Sequence, residues 1–257
     1  MGDTKTIALC GKGGVGKTSI CALMIKILSR RHDLKILAID ADPAAGLASA
    51  LGVTVRKTVD DIRKLLIKEI KQGVQKDRGE SLNMLDYEIF DALVQENGFS
   101  LLSIGRPEDE GCFCKVNSLL KDILGSLSEK FDIVIIDGEA GVEQINRRVM
   151  KTVDHLILVS DTSAKGLNVA NTIAHVARDS KAVEYHDMGL ILNRVRDAHE
   201  ESDIRSRTGL DIYGCIGEED LIRDFDFKGK PLMEYPNISE TLNVISGILV
   251  KMDVYRG

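Results

Sequence analysis

The segment 11-GKGGVGKTS-19 follows the apolar run 5-KTIALC-10 and precedes a helical pattern that starts near Lys17. It fits the pattern G-x-x-x-x-G-K-[ST], with Gly11, Gly16, Lys17 and Thr18 at the fixed positions. Glycine permits the tight turns that aim successive N–H groups inward, and the N-terminus of the following helix adds to this anion cradle. A strand, a loop of this kind and a helix together predict a phosphate-binding loop.

The loop predicts a separate role for each of three side chains. Lys17 is expected to reach the β- and γ-phosphates of a nucleotide, Thr18 to ligate Mg²⁺, and Ser19 to contact the α-phosphate. The nucleotide-binding residues predicted in this loop are Gly11, Lys12, Gly13, Gly14, Val15, Gly16, Lys17, Thr18 and Ser19.

Short apolar runs without strict alternation predict strands that are buried on both faces. The runs are 5-KTIALC-10, 35-KILAID-40, 100-SLLSIG-105, 132-DIVIID-137, 154-DHLILV-159, 188-MGLILN-193 and 211-DIYGCI-216. Helical patterns separate them, at about 17–31, 59–71, 113–129, 142–151, 164–179, 218–227 and 238–252. Such alternation predicts an α/β fold with a doubly wound, mostly parallel sheet of about seven strands flanked by helices. We expect one domain over 1–257, with a polar, helical insertion at about 52–99.

Composition argues against two classes of partner. The formal net charge of -6 disfavours a dedicated nucleic-acid binder, which needs a basic face to replace counterions. There is no run of 18 apolar residues that would predict a membrane-spanning helix, and the N-terminus lacks a signal-peptide layout. A cytoplasmic protein with reduced thiols is expected, and Cys10, Cys21 and Cys215 are interpreted as small core residues.

The last helical pattern predicts a packing helix rather than a lipid anchor. Only Lys251 and Arg256 are basic near its end, whereas a membrane-binding helix carries a strongly basic face. One face of the pattern is apolar and consists of Ile238, Leu242, Ile245, Ile248, Leu249 and Met252.

Acidic residues stand where two predicted strands end. The second strand closes with 39-IDADP-43, and the run 132-DIVIID-137 closes with Asp137. An apolar strand that ends in aspartate is the Walker B arrangement, in which the carboxylate holds water on Mg²⁺. The glycines of 137-DGEAG-141 would let the next loop move when the γ-phosphate leaves. A non-functional alternative is that Asp40 ends its strand and Asp42 caps the following helix.

Lys12 is not required by an ordinary phosphate loop, and KGGVGKTS resembles the deviant Walker A motif of the MinD/ParA/nitrogenase-iron-protein ATPases. The resemblance implies a nucleotide-dependent homodimer in which Lys12 acts catalytically across the two-fold axis, as an arginine finger does. It also implies that Asp42 orients the attacking water and that Asp40, with Thr18 and Asp137, supports Mg²⁺.

In the same class, 192-LNR-194 corresponds to the segment that binds the base. Asn193 and Arg194 are both predicted to bind the nucleotide, with Asn193 at the adenine edge. A strand-end turn is the alternative interpretation of Asn193. This class usually has an Ile-Pro step after the next strand, whereas this chain has 216-IGEED-220, which leaves ATP less firmly favoured over GTP.

Cys112 and Cys114 lie in 107-PEDEGCFCK-115, between a predicted strand and a predicted helix. Residues two apart on extended backbone face the same side, so both sulfurs can approach one metal ion. In a symmetric dimer with this segment on the axis, two copies would supply four thiolates, which suit Ni²⁺ or Zn²⁺. Structural or redox thiols are the alternative.

The set of motifs resembles the CooC-type nickel-insertion ATPases, which assist carbon monoxide dehydrogenase and acetyl-CoA synthase. The motifs in question are KGGVGKT, D-x-D-P, C-x-C, D-x-x-A-G and L-N-[KR], and all occur here in that order. The resemblance implies ATP/ADP, Mg²⁺ and Ni²⁺ (or Zn²⁺) as ligands, a nickel-enzyme client, and no nucleic-acid or membrane partner. A positioning ATPase of the MinD/ParA type and an iron–sulfur cluster scaffold remain alternative functions.

Overall fold

A parallel sheet forms the centre of the molecule. The computed structural model describes residues 4–42, 44–72, 78–106, 114–138, 149, 152–180 and 183–255. The strands are β1 (Lys5–Cys10), β2 (Ile36–Asp40), β3 (Val94–Glu96), β4 (Phe99–Ser103), β5 (Ile133–Asp137), β6 (Thr152–Asp161), β7 (Glu184–Val195) and β8 (Ile212–Gly217). They lie in the order β3-β4-β2-β5-β1-β6-β7-β8, and only the β3–β4 pair of this sheet is antiparallel.

Helices cover both faces of the sheet, as the doubly wound prediction requires. They are α1 (Lys17–Leu28), α2 (Gly46–Leu51), α3 (Val59–Lys71), α4 (Arg78–Ala92), α5 (Cys114–Ser128), α6 (Ala164–Ser180), α7 (Ala198–Arg207), α8 (Asp220–Phe227) and α9 (Glu240–Lys251). One apolar cluster packs α1, α2, α8 and α9 against the sheet, and a second packs α3 to α7 on the opposite face. The predicted fold class is therefore confirmed.

One strand was missing from the sequence prediction. Strand β3 forms a hairpin with β4 through Asn97 and Gly98, and Gly98 has φ of +96°. A β-carbon on Gly98 would stand 2.8 Å from the carbonyl oxygen of Ser29, so this turn needs glycine for its conformation and for space. Asn-Gly between two strand segments is a strong hairpin signal, and the sequence carried it.

The face predicted for the last helix contains one error. Ile238 precedes Ser239, whose hydroxyl accepts a hydrogen bond from Leu242 N–H and caps α9. Ile238 therefore lies outside the helix and is 89% exposed. The other five residues of that face are buried. The helix predicted at 142–151 falls outside the described residues except for Val149.

No helix within the described ranges is long and apolar enough to cross a bilayer.

A histidine is buried in the middle of the sheet. His155 lies on β6, is 9% exposed, and neither of its ring nitrogens has a hydrogen-bond partner among the described residues. Its Nδ1 is 3.9 Å from Oδ2 of Asp187. Burial lowers the pKa of His155 because it disfavours the charged imidazolium, and Asp187 opposes this effect only in part.

We predict that His155→Leu weakens the acid sensitivity of the fold. Because the folded-state pKa of His155 lies below its usual value of 6.5, its contribution to stability is present above that pH and is lost as pH falls through the folded pKa. Urea unfolding at pH 5.5 and 7.5 should show a smaller pH-dependent loss in the variant. His199→Leu, at an exposed site, is the control. An unchanged pH dependence in His155→Leu would contradict the prediction.

Candidate nucleotide-binding site

The glycine-rich loop lies at the carboxyl end of β1, in the middle of the sheet. Gly11 has φ of +154°, and a β-carbon there would stand 2.1 Å from the carbonyl oxygen of Val159 on β6. Gly16 has φ of +94°, and its β-carbon would stand 2.3 Å from Nδ2 of Asn193 on β7. Both backbone conformation and close neighbours therefore require glycine at these two positions.

Lys17 is held against the loop that precedes it. Its Nζ donates to the carbonyl oxygens of Gly11, at 3.0 Å, and Lys12, at 3.2 Å, and the residue is 6% exposed. These two bonds place the ammonium group of Lys17 beside the N-terminus of α1. This arrangement suits the phosphate role predicted for Lys17.

Two carboxylates lie side by side next to the loop. Asp40 ends β2, Asp137 ends β5, and the two residues are direct neighbours in the register of these strands. The Thr18 hydroxyl donates to Oδ2 of Asp137 at 2.6 Å. Oδ1 of Asp137 is buried and has no hydrogen-bond partner among the described residues. The fold thus brings together the three residues predicted to support Mg²⁺.

Burial changes the acidity of both carboxyl groups. Desolvation and the neighbouring Asp137 raise the pKa of Asp40 to about 7. Desolvation raises the pKa of Asp137 to about 6, although the Thr18 hydrogen bond and the charge of Lys17 oppose this change. Two fully buried carboxyl groups with an unpartnered oxygen fit a hard divalent cation, which prefers oxygen ligands. Mg²⁺ therefore fits the residues present.

Asp42 lies beyond the end of β2 and is partly exposed. Its backbone N–H donates to Oδ1 of Asp40 at 3.3 Å, and its own Oδ1 accepts from the N–H of Ala44 at 2.9 Å. Oδ2 of Asp40 accepts from the N–H of Leu47 in α2 at 3.1 Å. The buried carboxylate thus organises the segment that carries Asp42.

Asn193 contacts the phosphate loop directly. Its Nδ2 donates to the carbonyl oxygen of Val15 at 2.7 Å, and its Oδ1 accepts from the N–H of Arg194 at 3.0 Å. Arg194 has φ of +60°, an uncommon conformation for a residue with a side chain. Each amide atom of Asn193 retains further hydrogen-bonding capacity, so the predicted contact with a base is compatible with these bonds.

A cleft of about 410 Å³ opens beside Asn193 and extends to α8 and α9. Its lining includes residues that were absent from the predicted site, among them Glu219 and Thr241. The Thr241 hydroxyl donates to Oε2 of Glu219 at 2.5 Å. In the sequence, 216-IGEED-220 was notable only because it lacks the Ile-Pro step that is usual in the resembled class. Thr241 carried no local signal, because it reaches the cleft only through the packing of α9.

The structure describes little of the predicted Cys-x-Cys site. Cys112 lies outside the described residues, and Cys114 is the first residue of α5, where only its backbone is described. No group of three or more His, Cys, Asp or Glu side chains that could hold a metal occurs in the described part of the chain. Cys10 and Cys21 are buried, as expected of core residues, and burial raises the pKa of Cys10 to about 12.

We predict that Asp137→Asn stabilises the nucleotide-free protein at pH 8. The raised pKa means that the stability contribution of this carboxyl group is full below its usual value of 3.8 and is lost as pH rises through about 6. Asparagine keeps an acceptor for Thr18 and removes the buried charge, so the unfolding free energy should rise by roughly 2 kcal/mol at pH 8.

Urea unfolding at pH 8 measures this effect, and calorimetry of nucleotide binding should show that the same variant loses its response to Mg²⁺. Asp203→Asn is the control, since Asp203 is exposed and pairs with Arg207 away from the loop. A variant that is less stable than the wild type at pH 8 would contradict the assignment of a buried charge.

Comparisons with known proteins agree with this geometry. A family model described as an AAA domain matches residues 4–184. An uncharacterized ATP-binding protein of Methanocaldococcus jannaschii is 38% identical over 252 residues, covering 96% of this chain and 97% of that protein. The carbon monoxide dehydrogenase accessory protein CooC of Rhodospirillum rubrum is 32% identical over 211 residues, covering 73% of this chain and 78% of that protein.

Solved structures share the fold at low sequence identity. The septum site-determining protein MinD of Pyrococcus horikoshii, in complex with Mg-ADP, has a TM-score of 0.67 at 20% identity and covers 97% of this chain, with 96% of its own chain matched. An ATP complex of a Cyanothece McdA variant has a TM-score of 0.71 at 21% identity, with 100% and 99% covered. The chain therefore belongs to this AAA-domain family, as an ATP-binding P-loop protein with the MinD/ParA fold.

Proposed function

We propose that this protein is an ATP-hydrolysing metallochaperone. It forms a homodimer with nucleotide, binds Ni²⁺ (or Zn²⁺) through Cys112 and Cys114 of both subunits, and assists nickel insertion into carbon monoxide dehydrogenase or acetyl-CoA synthase. One structural observation carries the proposal: α5, which begins at Cys114, starts at the same edge of the sheet as the phosphate loop. This follows from the topology, because β4 runs parallel to β2 and both end at that edge.

The residues around the phosphate loop are assigned separate roles in nucleotide binding and hydrolysis. Lys17 binds the phosphates, and Thr18, Asp40 and Asp137 hold Mg²⁺, which when bound neutralises charge on the phosphate oxygens. The partly exposed carboxylate of Asp42 orients the attacking water. Lys12, which is partly exposed on the loop, supplies positive charge to the partner subunit's nucleotide.

The proposed nickel site is made of cysteine thiolates. Two thiolates from one subunit make an open site, whereas four from a symmetric dimer complete a tetrahedral or square-planar site. Nucleotide turnover then controls metal retention, because it controls whether the second pair of thiolates is present. The similarity to CooC of Rhodospirillum rubrum, which is named as a carbon monoxide dehydrogenase accessory protein, supports a client of this kind.

A positioning ATPase is the second candidate, favoured by the likeness to MinD and McdA structures. The packing of α9 argues against membrane positioning through that helix. Leu242, Ile245, Ile248 and Leu249 of this helix are buried in the core of the protein. ATP-dependent sedimentation with anionic liposomes would favour positioning over metal delivery.

We predict that substitutions of Lys17 and Lys12 have different effects on ATP binding and hydrolysis. Lys17→Ala should lower ATP affinity at least about 100-fold, because it removes the fixed charge beside the phosphates. Lys12→Ala should bind ATP within about 3-fold of the wild type yet hydrolyse it at least about 100-fold more slowly, as expected for a residue that acts across the dimer. Calorimetry and phosphate release measure the two effects.

Lys35→Ala is the control for both lysine variants, since Lys35 lies exposed at the opposite end of the strands. Normal hydrolysis by Lys12→Ala would contradict the role across the dimer.

We predict one Ni²⁺ per nucleotide-bound dimer, and none in Cys112→Ala/Cys114→Ala, since the variant lacks all four sulfur ligands. Anaerobic native mass spectrometry with and without Mg-ADP reports dimer, nucleotide and metal together. Cys215→Ala, at a half-buried cysteine on β8, should bind nickel normally. Full nickel stoichiometry in the double variant would refute the site, and a brown protein that contains iron and sulfide would favour the cluster scaffold.

A further inference from the structure

Ile104 is hydrogen-bonded both to the end of β2 and to the start of α3. The N–H of Ile104 donates to the carbonyl oxygen of Asp40 at 2.8 Å, and the carbonyl oxygen of Ile104 accepts from the N–H of Asp60 at 2.9 Å. Asp40 is the buried acid beside the phosphate loop, and Asp60 lies in the first turn of α3. Ile104 therefore connects the end of β2 with the start of α3.

The start of α3 is fixed against the same segment. Thr58 and Asp61 form a reciprocal cap, in which the N–H and the hydroxyl of Thr58 donate to Oδ2 of Asp61 and the N–H of Asp61 donates to the hydroxyl. Gly105 has φ of +80°, and a β-carbon there would stand 2.7 Å from Oγ1 of Thr58. This close approach leaves α3 little freedom to move independently of residues 104 and 105.

A hydrogen bond between a buried arginine and an exposed asparagine joins α3 to α5. Nε of Arg63 donates to Oδ1 of Asn117 at 3.0 Å, and Nη1 of Arg63 pairs with Oδ1 of Asp60 at 3.5 Å. Asp60 and Arg63 are 7% and 8% exposed. Asn117 lies one helical turn after Cys114, the first residue of α5.

A buried ion pair of this kind contributes little net stability. Removing two charges from water is unfavourable, and apolar side chains of similar volume often stabilise a protein equally well or better. The surrounding contacts between α3 and α5 are already apolar, with Ile62, Leu66, Val116 and Leu120 in one cluster. What the polar link adds is a fixed direction between the two helices, because a guanidinium binds its acceptors in a defined geometry.

We propose that Asp60, Arg63 and Asn117 form a positioning relay that transmits the nucleotide state of the Asp40 segment to the first turn of α5. This inference rests on the proposed function. In that function, the relay couples nucleotide binding to the helix that begins at Cys114. Its path runs from Asp40 through Ile104 to α3, and from α3 to α5.

Hydrogen exchange of the full-length protein, measured by mass spectrometry with and without the Mg²⁺ complex of a non-hydrolysable ATP analogue, tests the relay. In the wild type, we expect exchange in peptides covering 114–124 to slow by about 3-fold or more when nucleotide binds. Asp60→Asn/Arg63→Met, which leaves no buried charge without its partner, should bind the analogue normally and unfold at a similar temperature, yet lose this response. Asn117→Asp, which keeps an acceptor for Arg63, should retain it.

Lys57→Met is the matched control. Lys57 pairs with Glu88 and Asp91 next to the same helices but outside the path, so this variant should respond as the wild type does. A nucleotide response that survives in the double variant, or that is absent from the wild type, would overturn the relay.

Nickel titration of the same proteins separates this inference from the proposed function. If exchange in α5 responds to nucleotide in the wild type but not in the double variant, and no nickel binds, the metallochaperone assignment fails and the relay stands. If nickel binds with an affinity that depends on nucleotide in the wild type and equally in the double variant, the relay fails and the metallochaperone assignment stands.

Discussion

Two acidic side chains, Asp40 and Asp137, are buried next to each other at the ends of adjacent strands. Water cannot solvate them there, and the pKa values of both are raised as a result. Natural proteins accept such strain where a ligand relieves it, since a divalent cation converts repulsion between the carboxylates into shared attraction. The rest of the site is arranged around this pair, with Thr18 bound to one acid and the backbone of the Asp42 segment bound to the other.

The same pair connects nucleotide chemistry to distant parts of the chain. Asp40 is the last residue of β2, and its carboxylate and carbonyl groups hold α2 and residue Ile104 respectively. Asp40 is therefore hydrogen-bonded to two segments whose apolar residues, Leu47 and Ile104, belong to the clusters on opposite faces of the sheet. Hydrogen bonds have defined directions, and this gives the proposed relay a fixed route away from Asp40.

The range of each sequence signal explains which elements the sequence predicts correctly. The phosphate loop and the strands around it were predicted because their signals are short-range, namely a fixed glycine spacing and continuous apolar runs. The β3–β4 hairpin carries the turn signal Asn97-Gly98, but β3 has only three residues, too few for an apolar run to predict a strand. Ile238 was placed on a helix face because periodicity extended past the capping residue Ser239, and cap geometry rather than periodicity ends a helix.

The sequence by itself determined the phosphate loop, the alternation of strands and helices, and the acids that end β2 and β5. Only the tertiary structure decided that those two acids are neighbours, that Thr241 and Glu219 share the cleft beside Asn193, and that Arg63 binds Asn117. The physical reason is the range of the interactions. Motif spacing and apolar periodicity act within one segment, whereas these contacts join residues that approach each other only when the strand order and the packing of both helical layers are established.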